Sequence, residues 1–349
     1  MLEITVIESI SLALCILLEV PWGVLADRIG YRRTMIFCSG LYFVSKLVFW
    51  RADGFWDFLL ERVLLSVVLA GFSGVDTSIL YLSCAGRDSQ KAFGIYNSLG
   101  MAGLLLAAGA FSLFVKDDYA LAGFLTVISY GLAALLPFGL TEVKEPQPEK
   151  APAEPFRATL KSTLRNRTLL LFLAGVALLS ETHQTITVFL NQLQYIRYGM
   201  DSAAIGLVYM AATALGLLGV YSLAVTSRLG PGRSLFLFCG LAMAACMALA
   251  LTRRALPSVL GILALRLTDT LFQPFQAEIQ NRQVQTKNRA TALSIHAMLI
   301  SCIAIGTNLL FGALSDRSLP LAFFFGAGLC ACSMAFFFIW LKRGKKPEA

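Results

Sequence analysis

The sequence predicts an all-α membrane protein built from two bundles of helices. Three observations lead to this fold class. Hydrophobic residues make up 57% of the 349 residues and charged residues 14%, whereas soluble domains average roughly 45–50% and 25%. The mean hydropathy is +0.71, which is more apolar surface than a soluble core of this size could bury. The apolar residues form long runs, and the second half of the chain resembles the first.

Eleven apolar runs are separated by short polar breaks. A helix needs ~20 apolar residues to cross the ~30 Å hydrocarbon core of a bilayer, and most runs are near or above that length. The spans are predicted at 4–26, 35–51, 58–84, 91–115, 119–141, 168–191, 203–226, 234–252, 256–280, 289–314 and 319–341.

The distribution of basic residues predicts the orientation of these spans. Twenty of the 29 Lys and Arg residues lie in alternate breaks and in the C-terminal tail, against six in the remaining breaks. The richer breaks are 27–34, 85–91, 142–167, 227–233, 281–289 and the tail from 342. Because basic loops stay in the cytoplasm, we expect a multi-pass protein of the cell (plasma) membrane with a cytoplasmic C-terminus.

An internal repeat with an offset of about 200 residues predicts the domain organisation. RIGYRR at 28–33 lies over RLGPGR at 228–233, and QKAFGIYNS at 90–98 lies over NRATALSIH at 288–296. Parallel repeats of this kind are typical of one large class of two-bundle membrane proteins. We therefore expect an N-terminal bundle at 1–141, a cytoplasmic linker at 142–167, and a six-helix bundle with a short basic tail at 168–349.

The two copies of the repeat differ by one apolar run. In the second half, two spans precede the repeated loop, at 168–191 and 203–226. In the first half, only the span at 4–26 precedes it, so the span at 168–191 has no counterpart. We expect eleven transmembrane helices of a complete set of twelve, with the first helix missing from this sequence. The alternative is a protein that has eleven helices by nature.

The linker has two parts. EVKEPQPEKAPAEP, at 142–155, is rich in proline and charge, which predicts a flexible segment. FRATLKSTLRNR, at 156–167, places Phe156, Leu160 and Leu164 on one helical face, which predicts a short helix on the inner membrane surface. A solvated basic linker is the alternative.

GVLADRIGYRR at 23–33 resembles the G-x-L-A-D-R-x-G-R-K loop of the major facilitator superfamily. The residues that match are Gly23, Leu25, Ala26, Asp27, Arg28 and Gly30, with Arg32 at the second basic position. EVPWG at 19–23 and GFSGVDTSILY at 71–81 are similar to stretches of one bacterial subgroup of that superfamily. The resemblance implies two six-helix bundles, with the signature loop acting as a gate.

Asp27 is the central residue of this gating loop. A carboxylate at a cytoplasmic helix end can accept hydrogen bonds from the exposed N–H groups that begin a neighbouring helix. The resemblance implies that this neighbour is the helix starting near Ala290, so that Asp27 latches the cytoplasmic side. The alternative is that the arginines of the loop only set the orientation. Ser227 stands at the equivalent position of the second copy, which predicts a weaker latch there.

Polar residues inside the spans are candidates for a substrate and proton pathway, because a charge at mid-membrane costs about 2.5–3.5 kcal/mol. Arg266, Asp269, Gln273, Gln276 and Gln280 recur at helical spacing, which puts them on one stripe facing a watery cavity. A structural salt bridge is the alternative interpretation of Arg266 and Asp269.

Glu181 is the preferred candidate for the residue that carries a coupling proton. It lies near the middle of its span, where desolvation disfavours the ionised carboxylate, and Gln184 and Asn191 share its stripe. The resemblance implies that this span lines the substrate route. Asp76 is the second candidate.

Several functions are not favoured by the sequence. The eight cysteines form no CxxC pair, and only two histidines are present, so no metal site or cofactor is expected. No Walker loop for ATP occurs, and the basic residues set orientation rather than indicate nucleic acid. An enzyme is not expected, since no nucleophile and base stand at a typical spacing.

The resemblance therefore implies a monomeric secondary transporter that moves a small organic molecule across the lipid bilayer by alternating access. We expect proton coupling and export. Proton-coupled uptake of a metabolite is one alternative. A non-transporting membrane protein, either a remnant or a sensor, is the other.

Overall fold

The computed structural model describes residues 2–84, 88–110, 118–143, 156–284, 286 and 288–344, and every regular element in them is a helix. The α-helices are α1 (Leu2–Ile29), α2 (Tyr31–Arg51), α3 (Phe55–Phe72), α4 (Val75–Ser83), α5 (Ser89–Ala110), α6 (Tyr119–Leu135), α7 (Phe156–Arg165), α8 (Arg167–Gln184), α9 (Asn191–Arg197), α10 (Ser202–Leu215), α11 (Ser222–Leu229), α12 (Pro231–Leu251), α13 (Ala255–Arg282), α14 (Arg289–Arg317) and α15 (Leu319–Gly344). Residues Leu136–Gly139 and Gly216–Tyr221 form 3₁₀ turns, and Thr185–Leu190 forms a π-helical turn.

Nine helical stretches within the described residues are long and apolar enough to cross a membrane, from Phe55–Ser83 to Leu319–Arg343. The chain is therefore a multi-pass integral membrane protein. Helices α1 and α2 are not among the nine, so the count of eleven spans stays a prediction. The span predicted at 58–84 is divided by a turn at Gly74, whose φ of 75° favours glycine.

Contacts divide the described residues into two compact units. The first unit falls within Met1–Arg87, Ala107–Thr163 and Asn281–Met298, and the second within Asp88–Leu106, Leu164–Gln280 and Leu299–Ala349. The predicted division at 142–167 follows chain order instead, so the two bundles and the linker between them stay a prediction.

In the first unit, α1 packs on α3, and α2 packs on both α3 and α6. Trp22, Cys38, Val68 and Ala70 form a buried apolar cluster. Gly71 lies directly against Cys38, leaving no room for a larger side chain. Close helix packing through small residues is typical of membrane proteins, because van der Waals contact rather than water exclusion drives it.

The first unit also contains a buried ion pair. The Nζ atom of Lys46 lies 2.6 Å from Oε1 of Glu61. The rings of Tyr42, Phe49 and Tyr130 surround the same ammonium group, at 5.4–5.8 Å from their centroids. The carboxylate and the aromatic faces together compensate the desolvation of the lysine.

In the second unit, α15 packs on both α8 and α12. Its core is dominated by phenylalanine, and Phe172, Phe238, Phe272, Phe311 and Phe337 are each at most 1% exposed. Ser333 donates a hydrogen bond to the carbonyl of Gly175 over 2.7 Å, which joins α15 to α8.

The two copies of the repeated loop have the same backbone conformation. Gly30 begins α2 with φ 97° and ψ 149°, and Gly230 begins α12 with φ 78° and ψ 160°. Only glycine adopts this region readily. Each carbonyl also accepts a hydrogen bond from a hydroxyl four residues later, from Thr34 over 2.9 Å and from Ser234 over 2.8 Å.

Helix α7 forms within the basic part of the predicted linker. Thr159 and Thr163 are buried, whereas Arg157, Lys161 and Arg165 are exposed. The position of α7 on the inner membrane surface stays a prediction. The proline-rich segment predicted to be flexible lies outside the described residues from 144 to 155, as does the end of the predicted fourth span from 111 to 115.

Candidate functional site

Asp27, in the last turn of α1, lies at the start of α14 within the first unit. Its Oδ1 accepts a hydrogen bond from the backbone N–H of Ala290 over 3.0 Å. Its Oδ2 accepts bonds from the N–H of Thr291 over 2.8 Å and from the Thr291 hydroxyl over 2.6 Å. The carboxylate therefore satisfies N–H groups that have no partner inside the helix, at the end where the helix dipole favours an anion.

Two glycines allow this close approach. A Cβ atom on Gly23 would lie 3.0 Å from the carbonyl oxygen of Ala290, and one on Gly74 would lie 3.2 Å from the same oxygen. The first turn of α14 therefore packs directly against the backbone of both glycines. The sequence motif contains Gly23, whereas Gly74 lies outside the motif, in the turn between α3 and α4.

Burial raises the pKa of the Asp27 carboxyl above its ordinary value, although hydrogen bonds from Thr291, Tyr31 and Ala290 oppose the shift. The Tyr31 hydroxyl donates to Oδ1 over 2.9 Å, and burial together with the Asp27 charge raises the pKa of that phenol. The hydrogen bonds from α14 to Asp27 are strongest when its carboxylate is ionised. Because the pKa is raised, protonation of Asp27 begins at a higher pH than for a free aspartate, and it weakens these hydrogen bonds.

A second carboxylate holds the start of α2. Oε1 of Glu142 accepts the N–H of Tyr31 over 2.8 Å, and Oε2 accepts the N–H of Arg32 over 3.1 Å. The guanidinium of Arg32 donates to the carbonyl of Phe138 over 2.9 Å, whereas Arg28 is exposed. Sequence reasoning missed Glu142. Its signal was an acid directly after the span predicted at 119–141.

Arg289, the first residue of α14, was counted only as a basic loop residue. In the structure it is 2% exposed and donates to the carbonyl of Asn281 over 2.5 Å. Its guanidinium also stacks on the ring of Tyr81 at 4.3 Å. These contacts anchor the start of α14 beside the N–H groups that Asp27 accepts.

In the second unit, the predicted stripe of α13 forms a linked chain. Nη1 of Arg266 lies 3.5 Å from Oδ2 of Asp269, and the amide of Gln273 donates to Oδ1 of Asp269 over 3.1 Å. Gln276 donates to Gln273 over 3.1 Å. Nδ1 of His183, on α8, lies 3.5 Å from Oδ1 of Asp269, and the histidine is 1% exposed. Asp269 is therefore shared between a guanidinium and an imidazole.

A cavity of about 440 Å³ opens beside Arg266 in the second unit. The described residues that line it are Leu104, Thr187, Val188, Asn191, Gln192, Tyr195, Ile205, Gly206, Val208, Tyr209, Ala212, Thr213, Ile262 and Arg266. This volume lies in the range of small-molecule sites. Of the predicted pathway residues, Asn191 and Arg266 are in this lining.

The π-helical turn at Thr185–Leu190 separates the surroundings of Asn191 from those of Glu181. A π turn adds a residue to the helical repeat, so the stripe predicted with regular spacing does not continue across it. Asn191 lines the cavity, whereas Glu181 is buried with its Oε1 accepting a hydrogen bond from the Thr185 hydroxyl over 2.6 Å. Gln184 is exposed. The residue pattern does not predict this π-helical turn.

Asp76 lies in the first turn of α4, in the first unit. Its Oδ1 accepts the N–H of Thr77 over 2.6 Å, and an anion is stabilised at this end of a helix. The structure thus gives Asp76 a local role at a helix start, and its role in proton movement stays a prediction.

The membrane-spanning helices and their buried polar networks define a multi-pass integral membrane protein with polar groups in its interior. The sequence model of the Major Facilitator Superfamily matches residues 2–291. The chain belongs to this superfamily. No curated protein sequence matches it.

Solved structures with a similar fold are also transporters. The human organic anion transporter MFSD10 (TETRAN) is 18% identical, with a TM-score of 0.77 over 95% of this chain and 82% of its own. The E. coli fucose:proton symporter FucP is 17% identical, with a TM-score of 0.75 over 97% and 91%. A bacterial homologue of the iron transporter ferroportin, in an outward-facing state, is 16% identical, with a TM-score of 0.70 over 97% and 90%. At these identities the likeness concerns the fold, and family and fold together indicate a transporter rather than an enzyme.

Proposed function

We propose that this protein is a secondary active transporter that carries a small organic molecule across the cell membrane by alternating access, using a proton gradient. The observation that carries this proposal is the binding of Asp27 to the backbone N–H groups of Ala290 and Thr291, the second and third residues of α14. The Asp27 carboxylate accepts hydrogen bonds from the first turn of α14 and from the Tyr31 hydroxyl, so it links α1 and α2 to a helix that is distant in the chain. A transporter needs such a contact, because it must form in one state and break in another.

The latch has the properties of one side of a two-state switch. Each hydrogen bond to a charged group contributes about 1.5–3 kcal/mol, so the bonds from Ala290 and Thr291 can bias a conformational equilibrium by tenfold or more. The cytoplasmic side is proposed to be closed when Asp27 is bound, and to open when it is released.

Proton coupling is supported by acidic groups in the buried polar networks of the second unit. Glu181 is 6% exposed and Asp269 lies beside Arg266 and His183. In a membrane interior, such groups bind and release protons as their surroundings change. Export is the proposed direction, as the resemblance to a bacterial subgroup implies. Uptake together with a proton is the alternative, and FucP, which shares the fold, is a fucose:proton symporter.

The test is accumulation in energised membrane vesicles of both orientations. Vesicles containing the protein, the Asp27→Asn variant or no transporter would be exposed to a defined mixture of small organic acids, amines and sugars, and their contents measured by mass spectrometry. Accumulation that a protonophore abolishes is the expected result for the native protein. Accumulation only in inverted vesicles indicates export, and only in right-side-out vesicles indicates uptake.

Equal contents in all three vesicle preparations would contradict transport and favour the alternative of a non-transporting sensor or remnant. The same vesicles test orientation, because a protease added to right-side-out vesicles should not reach a C-terminus that is cytoplasmic. A monomer is proposed, and the mass of the detergent-solubilised protein in light scattering measures it.

A further inference from the structure

We infer that the cavity beside Arg266 binds an organic anion with an apolar body, and that one proton binds between His183 and Asp269 when the anion binds. This inference rests on the proposed transport function, since it assigns a substrate class to the second unit. It also assigns the proton to a different pair of residues from Glu181.

The lining of the cavity indicates the charge of its ligand. Arg266 is the charged side chain among the described lining residues, which are otherwise apolar, amide or hydroxyl groups. Its side chain is 25% exposed, so the guanidinium is accessible from the cavity. Asp269, its carboxylate neighbour, does not belong to the lining. A guanidinium facing a cavity without a facing carboxylate selects a carboxylate, sulfonate or phosphate group.

A second feature of the lining also points to a ligand. Tyr195 is 2% exposed, and its hydroxyl has no hydrogen-bond partner within the described part of the chain. A buried hydroxyl without a partner costs free energy unless a ligand or a water molecule forms a hydrogen bond with it. Tyr195 and Tyr209 also offer aromatic faces, and Leu104, Ile205 and Ile262 offer apolar surface. The complementary ligand has an anionic group and an aromatic or apolar body.

The contacts of Asp269 link this anion to a proton. Its two oxygens lie 3.5 Å from Nη1 of Arg266 and 3.5 Å from Nδ1 of His183. Neither ring nitrogen of His183 has a hydrogen-bond partner among the described residues. Without ligand, the positive Arg266, the negative Asp269 and a neutral His183 sum to zero charge.

An anion that pairs with Arg266 leaves Asp269 as an uncompensated negative charge in a poorly hydrated site. Such a charge is costly, and a proton taken from water restores neutrality. The proton then lies between Nδ1 of His183 and Oδ1 of Asp269. Anion and proton are bound together, so an inward proton gradient would drive uptake, which favours the alternative direction for anionic substrates.

Other charged and titratable groups near His183 do not replace this pair. On α8, Glu181 is engaged by the Thr185 hydroxyl. On α12, α14 and α15, the described titratable side chains other than cysteine thiols are His296 and the charged groups near the helix ends, at Arg233, Arg289, Asp316, Arg317, Lys342 and Arg343. His296 and Arg289 belong to the first unit. Asp269 is thus the carboxylate that faces the imidazole.

The experiment measures binding of 1-naphthoate, with the neutral 1-naphthamide as the matched probe, to the full-length purified protein in detergent. Isothermal titration calorimetry at pH 7 in buffers of different ionisation enthalpy gives the affinity and the number of protons taken up. We expect naphthoate to bind on the order of tenfold or more tightly than naphthamide, since only the anion makes a charge-assisted pair. About one proton should be taken up with naphthoate and none with naphthamide.

Two variants should move these values in opposite directions. Arg266→Gln should reduce the affinity for naphthoate to that for naphthamide. Asp269→Asn should increase the affinity for naphthoate, because Arg266 loses its competing partner, and should abolish proton uptake. Asp316→Asn removes an exposed carboxylate outside the cavity and should change neither value. Retained binding of naphthamide shows that each variant is folded.

Equal affinities of the native protein for naphthoate and naphthamide would overturn the inference, and so would naphthoate binding without proton uptake. Loss of proton uptake in Glu181→Gln but not in Asp269→Asn would assign the proton to Glu181 and also overturn it. These readouts need no transport. Anion binding with one proton in a protein that accumulates nothing in vesicles would contradict the proposed function alone.

Discussion

The two copies of the repeated loop share a backbone but differ in chemistry. Gly30 and Gly230 have nearly the same dihedral angles, and each accepts the same type of hydroxyl hydrogen bond. In the first copy, Asp27 accepts three hydrogen bonds from the start of α14. In the second, Ser227 is exposed and its hydroxyl lies 3.4 Å from the carbonyl of Ala224 in its own helix.

The residue that follows the glycine also makes a contact with a carboxylate in the first copy only. Tyr31 donates its N–H to Glu142, whereas Pro231 has no N–H to donate. The duplicated backbone therefore supplies a tight turn between two helices, and only the first copy adds carboxylates that hold other helix ends. The comparison teaches that glycine specifies the turn and that the acidic residues specify the latch.

We expect the largest difference between the two loops when Asp27→Asn is compared with Ser227→Ala. Asparagine keeps the shape of the side chain but removes the charge that Ala290 and Thr291 bind, which should cost about 1.5–3 kcal/mol. Hydrogen exchange of a peptide containing these two amides should become about tenfold or more faster in Asp27→Asn, with unchanged amounts of protein in the membrane. Ser227→Ala should leave exchange as it is. Equal acceleration in both variants would show that the two loops are equivalent.

The next effect compares Gly30→Ala with Gly230→Ala. Both place a side chain in a backbone region that costs about 1–3 kcal/mol for residues other than glycine. A Cβ atom at position 30 would also lie 2.8 Å from Oε2 of Glu142, whereas none of the neighbouring atoms lies within 4 Å at position 230. Thermal unfolding in detergent, followed by tryptophan fluorescence, should show the larger decrease in Tm for Gly30→Ala. A larger decrease for Gly230→Ala would contradict this assignment.

A smaller effect is expected for Glu142→Gln. The carboxylate interacts with the positive end of α2, which is worth about 0.3–1 kcal/mol and up to about 2 kcal/mol when partly buried. The free energy of unfolding should decrease by that amount, and Tm should decrease with it. Glu142→Ala sharpens the comparison, since it removes the atoms that a Cβ at position 30 would meet. In that background, Gly30→Ala should cost no more than Gly230→Ala.

The smallest effects test the shared backbone. Thr34→Val and Ser234→Ala each remove one hydroxyl hydrogen bond to a glycine carbonyl, worth about 0.5–1.5 kcal/mol. The two losses in free energy of unfolding should agree within about 0.5 kcal/mol if the loops are equivalent in backbone. A measurable loss in only one of them would show that the hydroxyls serve different purposes.

The candidate site was predictable where its signal is local. The motif around Asp27 identified the loop whose carboxylate contacts α14, and regular spacing identified the chain of Arg266, Asp269 and Gln273, because helical periodicity places such residues on one face. The grouping of Glu181 with Asn191 did not hold. A π turn lies between them, and propensity rules give no signal for a single inserted residue.

Other parts of the site depend on residues far apart in the chain. Glu142 and Tyr31 are 111 positions apart, and Asp27 and Thr291 are 264 apart. His183 and Asp269 lie on different helices, and nothing in the sequence predicts that they meet. Lys46 and Glu61 likewise belong to different helices, and the sequence does not predict that they form an ion pair. Such pairs are set by which helices pack together.

The sequence by itself determined the membrane class, the order of the apolar helices, the duplicated glycine turns and the family motif. These features are local, since apolar length, basic loops and the dihedral freedom of glycine act on a few neighbouring residues. The family motif also predicted that Asp27 meets the N–H groups of the helix starting near Ala290, as the structure has it. The tertiary structure alone decided that Glu142 meets the N–H groups of α2, and that Asp269 is shared between Arg266 and His183. A charge in a membrane protein is stable only with a partner, and helix packing decides which partner comes within reach.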